Sequence, residues 1–441
     1  MKLTPLGITF LTIAAVPLTG CGLQQATPIP VQGHALHGSV HGGQQPVTQA
    51  SLQLYAAGTA GYGIGATYSN GISLLKNPVT TDSGGFFTIT GDYTCPSSST
   101  LVYLVSTGGN PGLGTGTNSN LALMAALGPC GPLAAGTSYT FINLNEVTTV
   151  ASVWALSPFM SGISSIGTGP NNIQGLTNAF NNVNKLVNIG TGNASGPALP
   201  AGSTLRVGKI NTLANILASC VNSAGGIAGD STPCGKLFYD TTVGSVVPKD
   251  TITAAMNLSQ NPNLNTSALY LLPSKTPPFG PILSGAPADF GIVISHSGGG
   301  IAAPASVATD ATGNIWIANA GTPNSITELD PTGTPLSGAG GYTLSSLNKP
   351  SAIAIDLNGN AWVANSGTTD VIKISGSSGT ATTVSGGKLN APFSLAVDGS
   401  NNVWVANKGD GSLTEINSSG TLTNYPGAGV SVPSAVTINP K

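Results

Sequence analysis

Side chains suited to chemistry are sparse in this sequence. Three histidines, His34, His37 and His41, stand three and four residues apart, and His296 lies alone far downstream. On a helix, imidazoles at that spacing share a face and could hold a transition metal. Here glycines and the start of a β-strand surround them, and on a strand positions i and i+4 share a face while i and i+3 do not. Solvated histidines are expected, without a metal. The glutamates are Glu146, Glu328 and Glu415. The last two occupy equivalent positions of an internal repeat whose second copy has Lys373 there, so a solvated strand edge fits better than a catalytic acid. The glycine runs Gly61–Gly65 and Gly112–Thr117 lack the Lys-Ser/Thr and the strand-to-helix context of a phosphate loop and read as turns. No Gly-x-Ser-x-Gly elbow has a plausible histidine partner, and Ser295-His296 is isolated. Neither a catalytic residue nor a cofactor is expected.

The cysteines say more. Lys2 precedes an apolar run from Leu6 to about Val16, too short to span a bilayer, which ends in Leu18-Thr19-Gly20-Cys21. These last four residues resemble the bacterial lipobox. The resemblance implies a signal peptide over residues 1–20, cleavage before Cys21, a diacylglycerol on its thiol and an acylated new amino terminus. One chain alone binds a membrane only marginally, at about 0.8 kcal/mol per buried methylene, so several are needed for firm anchoring. Gly22 rather than Asp is compatible with sorting to the outer membrane, and residues 21–32 read as a lipid-anchored tether. An ordinary secretory signal with a chance cysteine is the alternative. Cys95, Cys130, Cys220 and Cys234 remain, an even count that suggests disulfides in an exported chain. Three pairings are open. Nearest-neighbour pairing, Cys95–Cys130 and Cys220–Cys234, keeps each bond within one domain and is preferred; the zinc alternative lacks a close Cys-x-x-Cys pair.

The elements that position these residues fall into three regions of a chain long enough for two or three domains. Only 6% of its residues are charged, against about 25% in ordinary domains, so solubility rests on amides, hydroxyls and backbone. With 13 basic and 15 acidic residues there is no field to steer polyanions, and nucleic acid is not an expected partner.

Residues 33–140 alternate apolar and polar positions between glycine-rich turns, as in Ser51–Tyr55, Gly85–Thr90 and Leu101–Val105. Gly38-Ser39-Val40, Pro46-Val47, Ala50 and Thr81-Asp82-Ser83-Gly84 resemble carboxypeptidase-regulatory-like (transthyretin-like) modules, which implies a β-sandwich acting as spacer or support. Residues 141–275 carry helical spacing over Asn145–Met160, Asn171–Val187, Val207–Val221 and Thr251–Leu258. Asn143 or Asn145 can cap the first helix and Asn171 or Asn172 the second, Pro248-Lys249-Asp250 precedes the fourth, and Pro158 should end or bend the first. A small all-α domain is expected.

Residues 287–441 hold the repeat. Pro304–Asp310 aligns with Pro350–Asp356, Pro392–Asp398 and Pro433–Asn439; Gly313–Asn319 aligns with Gly359–Asn365 and Asn401–Asn407. Trp316, Trp362 and Trp404 are 46 and 42 residues apart, the length of one propeller blade. The turn between the first two strands wants positive φ at Gly313 and Gly359, and Asn401 tolerates it best among other residues. These residues resemble NHL repeats, which implies four-stranded blades around a channel, with the three tryptophans wedged between blades as core. Asn319, Asn365 and Asn407 would line one face as candidate contacts, unless they merely satisfy turn backbones. Counting a leading strand Gly291–Ser295 in the first unit and a last one at Ser434–Ile438 gives about fourteen strands, or three and a half blades. Such an incomplete propeller must close on the preceding domains, on strands lent by residues 270–286, or on another chain.

The chain therefore reads as multi-domain and β-rich: an N-terminal β-sandwich, a small all-α middle domain and a C-terminal incomplete NHL-type propeller. The function expected is that of an exported lipoprotein, anchored to the cell envelope through its lipid and facing the periplasm or exterior. It would bind a protein or glycan ligand, with open blade edges that invite self-association. Two alternatives are a purely structural envelope protein and a propeller enzyme similar to streptogramin lyases or lactonases, which use metals and histidines in the channel. Six blades would need roughly 250 residues, against the 155 from Pro287 onward, and His296 is the only histidine there. Cys21→Ser should abolish incorporation of radiolabelled palmitate, because no other residue can carry the thioether. Label entering that variant would refute the anchor.

Overall fold

The computed structural model describes residues 29–66, 73–91, 93–114, 116–136, 139–376, 378–427 and 431–439. Cys21, the expected signal peptide and most of the tether lie outside them. Strands β1 (Leu36–Gly42), β2 (Gln45–Pro46), β3 (Ser51–Ala56), β4 (Val79–Thr80), β5 (Phe86–Ile89), β6 (Leu101–Thr107), β7 (Ala122–Pro129) and β8 (Ile142–Leu144) make two four-stranded sheets. In one, β1 pairs antiparallel with β2 and β5 and parallel with β8. The other has the order β4-β3-β6-β7. Leu52, Leu54 and Ala56 alternate into the core from β3, as a half-buried strand requires.

The boundary expected at 140/141 does not separate two cores. Strand β8 lies beyond it yet pairs with β1, and one cluster of buried side chains runs from Leu36 to Phe290. Helices α1 (Glu146–Leu156), α2 (Ile173–Leu186), α3 (Val207–Val221), α4 (Pro233–Asp240) and α5 (Thr251–Gln260) belong to the same body. The cause is visible at β7, the last strand of its sheet. Its outward N–H groups would be an open template for another chain. Instead Met124 and Ala126 donate to the hydroxyls of Thr149 and Ser152 on α1, and Ala122 donates to Thr251 on α5, each at 3.0 Å. Helix hydroxyls thus close the sheet edge, and α1 is buried on nearly every side.

Helix ends follow local chemistry with one exception. Asn145 caps α1 through the Thr148 N–H, and Asp250 caps α5 through the Thr253 N–H. Neither expected cap serves α2: the Asn172 side chain makes no capping bond and donates to the Tyr62 hydroxyl instead. Pro158 closes α1 in a 3-10 turn, Ser157–Phe159. Helix α4, which periodicity alone did not reveal, starts on Thr232 and Pro233. Cys220 of α3 is bonded to Cys234 of α4, and Cys95 to Cys130.

Residues 304–425 form three blades side by side. The first has three strands, Pro304–Thr309, Ile315–Asn319 and Ser325–Leu329. The second adds Ala381–Ser385 outside Pro350–Ile355, Ala361–Asn365 and Asp370–Ile374. The third adds Leu422–Tyr425 outside Pro392–Val397, Val403–Asn407 and Ser412–Ile416. Among the described residues the fan therefore has eleven ladder strands, fewer than the fourteen expected. Three assignments account for the difference. Between the first and second blades, Tyr342 and Pro335 make only single bridges to Ile326 and Leu329, so that stretch supplies no ladder strand. The expected leading strand is used by the body, where Ile294–Ser295 pairs with Thr204–Leu205. Residues 434–438 enter no ladder, although the Val436 N–H meets Ser394 Oγ at 3.3 Å as the Ile353 N–H meets Ser306 Oγ.

Glu146, at the start of α1, is fully buried, and both its carboxyl oxygens take the Gly43 N–H at 3.0 Å. Burial pushes its pKa up to about 8, against the lowering effect of that N–H. The unfolded chain releases this proton near 4.5 and the folded one near 8, so its contribution is fully present below 4.5 and is lost as pH rises to about 8. Glu146→Gln keeps an acceptor for Gly43 and should flatten the fall in melting temperature between pH 5 and pH 8.5. Parallel melting curves for the two proteins would show that Glu146 does not titrate in the fold.

Candidate functional site

Each blade is organised by one aspartate. Asp310, Asp356 and Asp398 close the turn after the innermost strand. Oδ1 of each accepts the backbone N–H groups two and four residues on, at 2.8–2.9 Å. Oδ2 accepts the indole N–H of Trp316, Trp362 or Trp404 at 3.2, 2.9 and 2.9 Å. Gly313, Gly359 and Asn401 take positive φ in the same turn. Partial burial would raise the three carboxyls, but these hydrogen bonds hold all of them below the ordinary aspartate range. The indole is thus tied to the turn of its own blade.

Glu328 is buried rather than a solvated edge, and Glu415 is half-buried. Each lies opposite its tryptophan on the neighbouring strand, and each carboxylate accepts the hydroxyl of a tyrosine, Tyr342 or Tyr425, at 2.8 Å. Those tyrosine rings stack on Trp316 and Trp404. In the second blade Lys373 sits over the Trp362 ring, 5.1 Å from its centroid. Either sign serves because an acid holds the stacking tyrosine there, while a cation stacks on the indole directly.

Asn319, Asn365 and Asn407, expected as contact positions, are fully buried. The amide of Asn319 donates to Ser325 and Thr327, that of Asn407 to Ser412 and Thr414, and that of Asn365 to Asp370 and the Ser346 carbonyl. Their oxygens accept from Ala302, Asn348 and Asn390. They lock the connection into each blade and present nothing to a ligand.

The tryptophans differ in what covers them. Trp316 is packed under Ile353, Ala361 and Val363 of the second blade, and Trp362 under Leu395 and Val403 of the third. Trp404 is half-buried, and Tyr425 beside it is 44% exposed.

A second feature joins the fan to the body. A cavity of about 320 Å³ lies between α1, α2 and the first blade, with Trp154, Asn182, Lys185, His296 and Ile315 in its wall. Lys185 is 3% exposed and donates to Asn182 Oδ1 at 2.7 Å and to the Pro331 carbonyl of the first blade at 2.9 Å. Burial lowers its pKa, and the Asp330 carboxylate opposes this. His296 pairs through Nδ1 with Ser203 Oγ at 2.8 Å. Burial and the Lys185 charge lower the pKa of that imidazole, again against Asp330. Gly333 has φ +90°, and a Cβ there would overlap the His296 ring, so this glycine is what lets the blade turn lie on the imidazole. No local spacing could have signalled the cluster, because Ser203 and His296 are 93 residues apart and Lys185 and Pro331 are 146 apart. Among the other histidines, His37 contacts Thr88, His41 is partly buried, and among the described residues no metal cluster forms.

No family model matches the chain, and no curated protein does. Three solved structures illustrate what the fan is similar to. Virginiamycin B lyase from Staphylococcus aureus is 18% identical over 30% of this chain and 44% of its own, with a TM-score of 0.28. Hydrazine synthase of Kuenenia stuttgartiensis is 16% identical over 32% and 40%, with a TM-score of 0.27. A nidogen/laminin complex is 16% identical over 30% and 54%, with a TM-score of 0.25. The chain thus spans less than half of the lyase. At these scores the propeller-type description rests on the blades themselves.

Asp356→Asn, which puts an amide where Trp362, Asn358 and Asn360 need a carboxylate, should lower stability by about 2 to 3 kcal/mol. Denaturant unfolding followed by tryptophan fluorescence measures it. An unchanged midpoint would mean that the aspartate does not hold the blade.

Proposed function

We propose that this is an exported, envelope-anchored binding protein, in which a rigid body carries an open fan of NHL-type blades that captures a protein partner. The Leu18–Cys21 sequence and the two disulfides support export and anchoring. The observation that carries the binding reading is the far side of the third blade. Its face repeats the pattern of the first two, where a neighbouring sheet covers the tryptophan, yet among the described residues no further sheet covers Trp404. Beside it, residues 433–438 follow the course of an innermost strand. Val432 has φ +50°, matching Ala303, Lys349 and Ala391, the residues that precede the first proline of each blade. A β-branched residue rarely adopts that conformation without a structural reason. The partner this surface fits is therefore a β-sheet, adding strands beside 433–438 and an apolar face over Trp404.

A photo-crosslinking benzoylphenylalanine at Tyr425 tests this in the native envelope. The proposal expects one discrete protein adduct, absent when the probe replaces Tyr239, exposed on the body, and lost with Trp404→Asp. An adduct of twice the chain mass would make the partner a second copy. Lack of an adduct at Tyr425, or the same adduct from Tyr239, would overturn it.

A further inference from the structure

The cavity between the body and the first blade has features that joining the fan to the body does not require. Lys185 can only donate, so the atom of Asn182 facing it must be the amide oxygen, and the Asn182 NH2 group is turned away from the ammonium. That NH2 group meets no protein acceptor among the described residues, and Lys185 uses two of its three N–H donors. Two adjacent donors, one of them cationic, thus stand in the wall of a cavity that contains no carboxylate. Asp330 lies near Lys185 but outside that wall, and its Oδ1 is occupied by the N–H groups of Thr332 and Thr334. The remaining wall is apolar: Leu186, Ile292, Ile294 and Ile315, with Trp154, whose indole N–H is already bonded to the Phe290 carbonyl. His296, fixed by Ser203, adds a ring edge. The volume falls at the small end of the roughly 300–1,000 Å³ of small-molecule sites, which favour boundaries between structural units.

We infer that this cavity is a binding site for a small organic carboxylate with an apolar or aromatic body. Lys185 and Asn182 hold its two oxygens, and Trp154 and the aliphatic wall hold the rest. A buried ammonium whose third donor meets a carboxylate forms the stronger, charge-assisted kind of hydrogen bond. A neutral amide of the same shape forfeits that term. The site does not depend on how the third blade is covered.

Phenylacetate and its neutral counterpart phenylacetamide are suitable probes, titrated into the full exported chain by isothermal calorimetry. Saturable binding of phenylacetate is expected, with phenylacetamide at least tenfold weaker. Lys185→Gln retains a donor for the Pro331 carbonyl and should bring the two probes to within twofold of each other. Ala155→Phe fills the cavity from α1 without touching its polar groups and should abolish binding of both while leaving the melting temperature within a few degrees. Failure of phenylacetate to saturate at millimolar concentration, equal binding of the two probes by the unaltered chain, or undiminished binding by a folded Ala155→Phe variant would overturn the inference.

Discussion

A carboxylate that holds a turn with one oxygen and an indole with the other is the interaction on which the fan depends. In a chain with 6% charged residues, few ions are available to be placed anywhere. Three of them, Asp310, Asp356 and Asp398, sit in this role. An ionised acceptor makes hydrogen bonds stronger than neutral ones, and several donors converge on each carboxylate. The turn cannot relax without releasing the tryptophan, and the tryptophan cannot tilt without opening the turn. Each blade therefore offers its neighbour a flat apolar plate of fixed orientation.

From this follows the polarity of the assembly. A plate is useful only when something lies on it, so blade follows blade, with Trp316 under the second and Trp362 under the third. The near end of the series is fastened to the body by Lys185 at Pro331 and by His296 under the Gly333 turn. At the far end Trp404 is half-buried, with no further sheet over it among the described residues.

The repeat was legible because a blade is local. Its turn, its tryptophan and its tyrosine or lysine partner lie within a few tens of residues, and the pattern recurs. The nearest-neighbour cysteine pairs were readable on similar grounds of sequence proximity, and these are the pairs the fold contains. What sequence spacing could not carry is long-range. Thr149, Ser152 and Thr251 look like ordinary polar helix positions, yet they cap the N–H groups of β7 and merge two expected domains into one. Asn319, Asn365 and Asn407 looked like loop contacts because amides in loops often are, and only burial shows that their donors and acceptors are all used internally. The Lys185–His296 cluster joins segments more than ninety residues apart and left no trace in spacing. The outer strands of the second and third blades follow the other three, although Gly291–Ser295 ahead of the first blade has strand composition. Its tip, Ile294–Ser295, pairs with the body instead.

Residue-resolved hydroxyl-radical footprinting of the folded protein, read by mass spectrometry, tests the open plate directly. The account predicts that Trp404 and Tyr425 are oxidised fastest among these aromatic residues, while Trp316 and Trp362 are protected until the protein unfolds. Protection of Trp404 equal to that of Trp316 in the isolated protein would mean that the third blade is already covered, and would contradict it.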